Sequence, residues 1–405
     1  MKKWVPLLIF ISLTFSACNT GSTGEDVLPS ATSTTRAAQR LTPTATQKEP
    51  TASATRTKTP TKAPTATIVP QDYGPENFPK DVNPLTGLQV DVVENLERRP
   101  VAIKIQTFPR GQRPAWAISY ADIVYDYYQN NGLTRLHAIF YTNDSKQVGP
   151  IRSARLLDGT LIRAYKSIFA FGGADHRVLN RLLNAEYANQ LIMEGSNICP
   201  AMCRIDPNGY NYLVADTIEI GKYAESRGVD NVRQDLDGMR FEHDPPEGGG
   251  PGEQVSVRYS ISSYTRWEYE PDIGRYLRFQ DTQEDTGQGE DYAPFLDRET
   301  DEQVEADNVV IIKAVHEYTY KSGANEIVDI LLGGQGTAYA FRDGQVYAVK
   351  WSRPTPESLI TLTYPNGENY PYKPGTTWYQ VIGQSSVDVE SGNDEGIYRF
   401  EFRIP

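Results

Sequence analysis

Two arginines stand at the position in the sequence that is best suited to binding chemistry. Arg152 and Arg155 follow a Gly-Pro pair in VGPIRSARLLDG (148–159) and come just before a stretch with helical periodicity. The start of a helix offers unpaired backbone N–H groups and the positive end of the helix dipole, and both attract a negative group. Guanidinium groups add a planar set of donors that suits phosphate or carboxylate. The pattern therefore predicts an anion-binding site.

Three further basic residues lie on or beside predicted neighbouring strands. We expect them to converge on the same site: Arg99, Lys104 and Arg135. From residue 98 to residue 166 the sequence has eleven Lys/Arg and four Asp/Glu, although the net charge of the whole chain is −12. A basic segment in an acidic protein is a candidate anion site, whereas the acidic total argues against nucleic-acid binding.

A structural role for the same cations is the alternative. They can pair with carboxylates of this region and simply join the predicted sheet to the predicted helix, the candidates being Asp122, Asp126 and Asp158. Structural ion-pair networks perturb the pKa values of their members as readily as active sites do. The sequence leaves both interpretations open.

A Gly-Gly turn is the second, weaker candidate for ligand binding. Gly172 and Gly173 in FGGADHR (171–177) lie between a predicted strand and a predicted helix, where a bare backbone can approach a ligand closely. The motif is not a complete phosphate loop. Asp175 fits the N-cap of the following helix. If the protein is an enzyme, Asp122 or Asp175 is the candidate general acid or base.

Metal and nucleophile patterns are weak. The four histidines are far apart and lack ligand spacing, and no Gly-x-Ser-x-Gly motif is present, so we expect no metal site and no cofactor. Cys199 and Cys203 are four positions apart across Pro200. In an oxidising compartment a disulfide is the favoured state of this pair, and two free thiols are the alternative.

The amino terminus has the pattern of a bacterial lipoprotein signal. Lys2 and Lys3 precede an apolar run that is too short to span a membrane, and Ser-Ala-Cys follows it. This predicts a signal peptide over 1–17 and lipidation of Cys18, which would anchor an extracytoplasmic protein to a bacterial membrane. The alternative is an ordinary secretory peptide with an incidental cysteine.

Residues 18–70 are predicted to be a disordered Thr/Pro-rich tether. Fifteen of the 52 residues from 19 to 70 are Thr, and the segment has almost no apolar side chains to bury. A folded region begins at about residue 71.

The folded region is predicted to contain two domains, with a boundary near 248–252, at the end of the segment HDPPEGGGPG (243–252). The first, 71–247, has a mixed-sheet α/β pattern, with strands over 101–106, 123–128, 133–141 and 168–171 and a helix over about 153–166. Further helices are expected from the Asp175 cap to about Leu191 and from Asp216 to near Gly228. The second domain, 253–405, is strand-rich, and Asp343-Gly344 predicts a hairpin turn.

Several motifs together resemble the YerB-like lipoproteins, a family whose two domains have unknown function. They are RRPVAIKIQ (98–106), SYADIVYDYY (119–128), NGLTRLHAIF (131–140), GPIRSAR (149–155) and DLDGMRF (235–241). The resemblance extends over roughly 75–405 and implies an α/β N-terminal domain, a strand-rich C-terminal domain and attachment at the cell envelope. It implies no catalytic residues.

Our functional prediction is an exported, lipid-anchored envelope lipoprotein that binds an anionic ligand, a wall polymer or a protein partner. The alternative is an envelope enzyme acting on a phosphorylated glycan or a lipid-linked precursor, with arginines holding the phosphate. A third class, a purely protein-binding module, predicts an exposed apolar patch.

Overall fold

The computed structural model of the chain describes residues 71–206, 212–323, 325–390 and 396–404. The predicted signal peptide, Cys18 and the predicted tether lie outside these ranges. The described residues belong to one compact unit. Within them, no helix has the length and apolar character needed to cross a bilayer.

The first half of the described chain alternates strands and helices, as its periodicity predicts. Its elements are β1 (Val101–Gln106), β2 (Ile123–Asn130), β3 (Leu133–Phe140), α1 (Leu156–Tyr165), β4 (Ile168–Phe171), α2 (His176–Leu183), β5 (Leu191–Met193), β6 (Met202–Arg204), β7 (Leu213–Ala215), α3 (Thr217–Ser226) and β8 (Arg240–Phe241).

The second half is built from strands, also as predicted. Its elements are β9 (Gly250–Pro251), β10 (Gln254–Ser260), β11 (Ser263–Glu270), β12 (Arg275–Asp281), β13 (Tyr292–Pro294), β14 (Glu305–Ala306), β15 (Asn308–Ser322), β16 (Asn325–Leu331), β17 (Gly334–Arg342), β18 (Gln345–Arg353), β19 (Thr361–Thr363), β20 (Pro371–Tyr372), β21 (Thr377–Gly383), β22 (Val387–Glu390) and β23 (Ile397–Glu401). The Asp343-Gly344 pair forms the two-residue turn between β17 and β18, where Arg342 pairs with Gln345.

One predicted boundary is wrong. Helix α2 ends at Leu183 rather than near Leu191, and the chain then passes through a short 3₁₀ turn. Leu191 to Met193 instead form β5, which pairs in parallel with β4. The residues at the predicted end of the helix are thus part of the sheet.

The strands form two main sheets. In the 12-stranded sheet the order is β19-β18-β17-β15-β21-β2-β3-β1-β4-β5, with β16 paired to β15 and β9 paired to β18. In the seven-stranded sheet the order is β13-β12-β11-β10-β23-β22, with β14 paired to β12. Helix α1 contacts both α2 and the β16 strand of the second half.

Strands from both halves of the chain share the larger sheet. β2 pairs in parallel with β21, with Ile123 opposite Thr377 and Tyr127 opposite Val381. The boundary that we predict near 248–252 thus divides the sequence, while the sheet runs across it. With this pairing, seven described strands of this sheet run parallel to one another, namely β1, β2, β4, β5, β15, β18 and β21. We call the side where these strands end the carboxyl edge, and the side where they begin the amino edge.

A buried ion pair joins the two sheets. Asp126 of β2 accepts a hydrogen bond of 2.7 Å from Arg278 of β12, and both side chains are almost fully buried. The Arg278 guanidinium also lies against the rings of Trp267 and Trp378. Because a lone buried charge is costly, each member of this pair depends on the other.

We expect Asp126→Ala to lower the free energy of unfolding by about 3–5 kcal/mol, because it leaves the Arg278 charge buried without a counterion. Chemical denaturation followed by circular dichroism measures this loss. The matched double variant Asp126→Leu/Arg278→Met should lose much less, since apolar replacement of both partners removes the unpaired charge. A double variant that is less stable than the single one would contradict this account.

Candidate functional site

The carboxylate of Asp158 fixes the start of helix α1 against the sheet. Its Oδ2 accepts the backbone N–H of Arg155 at 2.6 Å, which satisfies one donor of the first turn. Its Oδ1 lies 2.8 Å from the Nδ1 of His137 and 3.2 Å from the Nζ of Lys104, and it accepts the hydroxyl of Tyr127. The four side chains of this network are all buried: Lys104, Tyr127, His137 and Asp158.

The charge balance among these four buried side chains depends on Lys104 and Asp158. Burial opposes ionisation of Asp158, but Lys104, His137 and Tyr127 outweigh it and hold the pKa of Asp158 below its ordinary value. Burial lowers the pKa of Lys104 to about 7, although Asp158 acts in the opposite direction. The charges of Arg135 and Arg155 lower the pKa of Lys104 further. These two cations therefore lie close to the buried Lys104 and Asp158 side chains.

The segment that carries the two motif arginines is inserted between β1 and the Gly-Gly turn. The backbone N–H of Arg152 donates to the Lys104 carbonyl, and the N–H of Gly172 donates to the Arg152 carbonyl, both at 3.0 Å. The N–H of Ala154 donates to the Gly173 carbonyl at 2.8 Å. Gly173 has a φ of +140°, which residues with side chains rarely adopt. The turn therefore positions the arginine segment at the carboxyl edge.

Two guanidinium groups meet at one backbone carbonyl. The Nη1 of Arg135 donates to the Ser153 carbonyl at 2.7 Å, and the Nη1 of Arg155 approaches the same oxygen at 3.5 Å. Arg155 also donates to the Ala154 carbonyl at 2.9 Å and to the side-chain oxygen of Gln129 at 3.0 Å. The structure thus brings these two predicted residues together.

Arg152 belongs to the same group of cations. Its Nη1 donates to the Ile151 carbonyl at 3.1 Å and its Nη2 to the Oε1 of Gln112 at 3.3 Å. Burial lowers the pKa of Arg135 well below its ordinary value, and the charges of Arg155 and Arg152 lower it further. We call Arg135, Arg152 and Arg155 the arginine cluster.

Neutral oxygens, rather than carboxylates, are the nearest partners of two of these guanidinium groups. Among the residues that the structure describes, no carboxylate lies within 4.0 Å of the Arg135 or Arg155 guanidinium. Three buried donors beside the cluster have no acceptor in the described chain, namely the Nε of Arg135 and the Nε2 atoms of Gln106 and Gln112. Unpaired buried donors are costly, so an acceptor-rich group would be stabilised here.

Arg99 does not join this cluster. Its guanidinium donates to the backbone carbonyls of Lys166 and Asp230, where α1 ends. Ten helical residues separate that end from the arginine cluster, a distance of about 15 Å. The prediction that Arg99 converges on the site is therefore wrong, because Arg99 precedes β1 and lies at the amino edge.

Asp122 also lies away from the arginines, directly before β2 at the amino edge. Its two oxygens accept hydrogen bonds from the side chains of Asn83 and Thr142 and from the backbone of Tyr141 and Thr142. Burial raises the pKa of Asp122 to about 6 despite these donors. With its oxygens occupied and its position at the opposite edge, Asp122 cannot act on a ligand at the arginine cluster.

Asp175 is nearer the cluster but serves as a helix cap. Its side chain accepts the backbone N–H of Arg177 and forms an exposed ion pair of 3.3 Å with the Arg177 guanidinium. The backbone hydrogen bond is the main reason why the pKa of Asp175 is lowered. Burial lowers the pKa of Arg155, and the charge of Asp175 is one of the influences that oppose this shift.

The two cysteines are joined. Cys199 and Cys203 form a disulfide with an S–S distance of 2.02 Å, the state that we expect over two free thiols. Within the described ranges, no group of three or more His, Cys, Asp and Glu side chains is arranged to hold a metal ion.

Sequence reasoning missed the amides around the cluster, Gln106, Gln112 and Gln129. A signal for two of them exists in the strand pattern. Gln129 and Tyr127 have the same parity on β2 and so lie on one face, and Gln106 ends β1 opposite Arg135. Polar side chains at the ends of buried parallel strands indicate a functional edge.

Comparisons with known proteins give matches over most of the chain. Residues 85–230 match the N-terminal domain and residues 255–379 the C-terminal domain of a family described as "Protein of unknown function (DUF3048)". The chain is 29% identical over 317 residues to a protein of Bacillus subtilis (strain 168) named "Putative lipoprotein YerB", with 77% of this chain and 89% of that protein covered. The crystal structure of YerB protein from Bacillus subtilis is similar with a TM-score of 0.62 and 27% identity, covering 74% of this chain and 96% of that chain.

We expect Asp158→Asn to lower the free energy of unfolding by about 3–5 kcal/mol, because Lys104 then loses its buried counterion. The pKa of Asp158 is depressed, so its contribution is present at pH 7 and is lost only as the pH falls through its folded-state value. Denaturant titrations at several pH values measure both effects. The control Glu186→Gln breaks an exposed pair with Arg163 and should cost about 0–1 kcal/mol; equal losses would show that Asp158 has no special role.

Proposed function

The chain belongs to the DUF3048 family, as the resemblance of its motifs to the YerB-like lipoproteins predicts, and from this premise we propose that it is a lipid-anchored envelope protein that binds an anionic group at the arginine cluster. The observation that carries the proposal is the meeting of Arg135 and Arg155 at the Ser153 carbonyl, with no carboxylate of the described residues paired to either guanidinium. Their positive charge is therefore available to a ligand.

The location of the cluster supports the same function. It lies at the carboxyl edge, where open sheets with parallel strands commonly bind ligands. The start of α1 lies there as well, and its dipole favours a negative group. The three arginines are partly exposed, so an anion can reach them from solvent.

Phosphate and carboxylate are the chemical groups that the cluster suits best. Guanidinium donors match the planar and tetrahedral oxygen arrangements of these anions. The unpaired amide donors of Gln106 and Gln112 add neutral hydrogen bonds to the charged ones. A phosphate-bearing wall polymer, a lipid-linked precursor or an acidic partner surface each presents such a group.

The enzyme alternative finds no support at this site. Its two acid/base candidates were Asp122 and Asp175. Asp122 is at the amino edge with its oxygens occupied, and Asp175 caps α2 and pairs with Arg177. A binding role therefore fits the geometry of the cluster better than catalysis by these carboxylates.

We expect the purified full chain to bind inorganic phosphate or pyrophosphate, as measured by isothermal titration calorimetry at low and at physiological salt. Arg135→Gln/Arg155→Gln should weaken binding at least tenfold, because glutamine keeps a donor but removes the charge. The control Arg233→Gln breaks an exposed pair with Glu97 and should leave the affinity unchanged. Equal affinities in the folded double variant, or no binding of either anion by the natural chain, would contradict the proposal.

The membrane anchor is tested by lipid incorporation. We expect the chain, expressed in bacteria supplied with labelled fatty acid, to carry the label, and Cys18→Ser to abolish it because the thiol is the lipidated group. Cys199→Ser/Cys203→Ser is the matched control and should keep the label. A natural chain without label would instead indicate an ordinary secretory peptide.

A further inference from the structure

A polar cavity of about 420 Å³ opens at the amino edge of the larger sheet, at the opposite end of β2 from the arginine cluster. Asp122, Asp307 and Thr376 line it, and each stands immediately before one of three neighbouring parallel strands, β2, β15 and β21. Residues from both family domains thus build its wall. Its size lies within the usual range of pockets for small ligands.

The wall of this cavity is held in place by backbone hydrogen bonds. The N–H of Thr376 donates to the Asp307 carboxylate at 2.9 Å, and the N–H of Thr377 donates to the Asp122 carbonyl at 3.2 Å. Arg275 is held by the same Asp307 carboxylate at 2.9 Å. The cavity is therefore a formed feature of the sheet edge rather than a gap between loose side chains.

The charge of the lining disfavours an anion. The lining contains three carboxylates, those of Asp91, Asp122 and Asp307, and one guanidinium, that of Arg275. The Arg275 charge is already paired with Asp307 and Glu305. The cavity consequently differs in sign from the arginine cluster, and the two edges of the sheet should take different ligands.

Hydroxyl and amide groups supply the rest of the polar wall. Among the described lining residues these include the side chains of Thr86, Ser119, Thr142, Asn95 and Asn143. Such groups both donate and accept hydrogen bonds, and the Asp91 carboxylate adds acceptors. A ligand with many hydroxyl groups matches this mixture, because each hydroxyl also donates and accepts.

The rim adds apolar contacts. Leu88 and Val92 line the cavity and are about half exposed, at 46% and 50%. Beside them, the exposed carboxylate of Asp91 makes no side-chain hydrogen bond or ion pair to another described residue. Apolar side chains next to an available acceptor suit the C–H face and the hydroxyl edge of a sugar ring.

We propose that the amino-edge cavity is a second binding site, which takes a neutral, hydroxyl-rich saccharide unit. The Asp91 carboxylate accepts hydrogen bonds from its hydroxyl groups, the Asn143 amide donates and accepts them, and Leu88 and Val92 contact its ring. The proposal is independent of anion binding at the arginine cluster, since the two sites share no residue.

Saccharide binding by the purified full chain tests the proposal. The probes are maltotriose and triacetylchitotriose, each titrated by calorimetry and by saturation-transfer NMR. We expect at least one of them to bind, and Asp91→Ala/Asn143→Ala to weaken it at least tenfold. Both side chains are exposed, so the variant should keep its fold.

Two controls separate this site from other causes. Glu76→Ala removes an exposed carboxylate outside the cavity and should leave saccharide affinity unchanged. Arg135→Gln/Arg155→Gln should also keep it, whereas the cavity variant should keep phosphate binding. No binding of either saccharide by the natural chain, or equal affinity in the cavity variant, would overturn the proposal without affecting the arginine cluster.

Discussion

The parallel pairing of β2 with β21 is the constraint on which the rest of the structure depends. β2 is buried and pairs with β3 on one side, so the backbone groups on its other side require a partner. That partner comes from about 250 residues later in the chain. The pairing merges strands of the two family domains into one sheet, and the buried pair of Asp126 and Arg278 fastens the second sheet to it. It also gives the sheet a shared direction, and therefore two chemically distinct edges.

At the carboxyl edge, the buried Asp158 decides how the nearby charges are distributed. It accepts hydrogen bonds from β1, β2, β3 and the start of α1, and it serves as the counterion of Lys104. The Asp126 carboxylate is likewise paired with the Arg278 guanidinium. The carboxylates of Asp126 and Asp158 are thus engaged by other groups, and the Arg135 and Arg155 guanidinium groups donate to neutral oxygens. This distribution favours the proposed anion site over a purely structural ion-pair network.

At the amino edge, the same strands produce the opposite chemistry. The residues before β2, β15 and β21 are acidic or hydroxylic, and they line a cavity with excess negative charge. The two edges are about 23 Å apart along β2, taking seven residues from Asp122 to Gln129. At physiological ionic strength that separation exceeds the screening length, so charges at one edge have little influence on the other edge.

The sequence by itself determined the features that depend on near neighbours. It predicted the strands β1 to β4 and helix α1 from periodicity, the cap at Asp175, and the turn at Asp343-Gly344, because side chains within a few positions set these elements. Only the tertiary structure decided that Leu191 to Met193 form a strand beside β4. It also decided the position of Arg99, which lies at the far end of α1 from Arg155. The pairing of β2 with β21 is also visible only in the tertiary structure. Such pairings connect groups that are remote along the chain, and local residue preferences carry no information about which remote backbone will satisfy them.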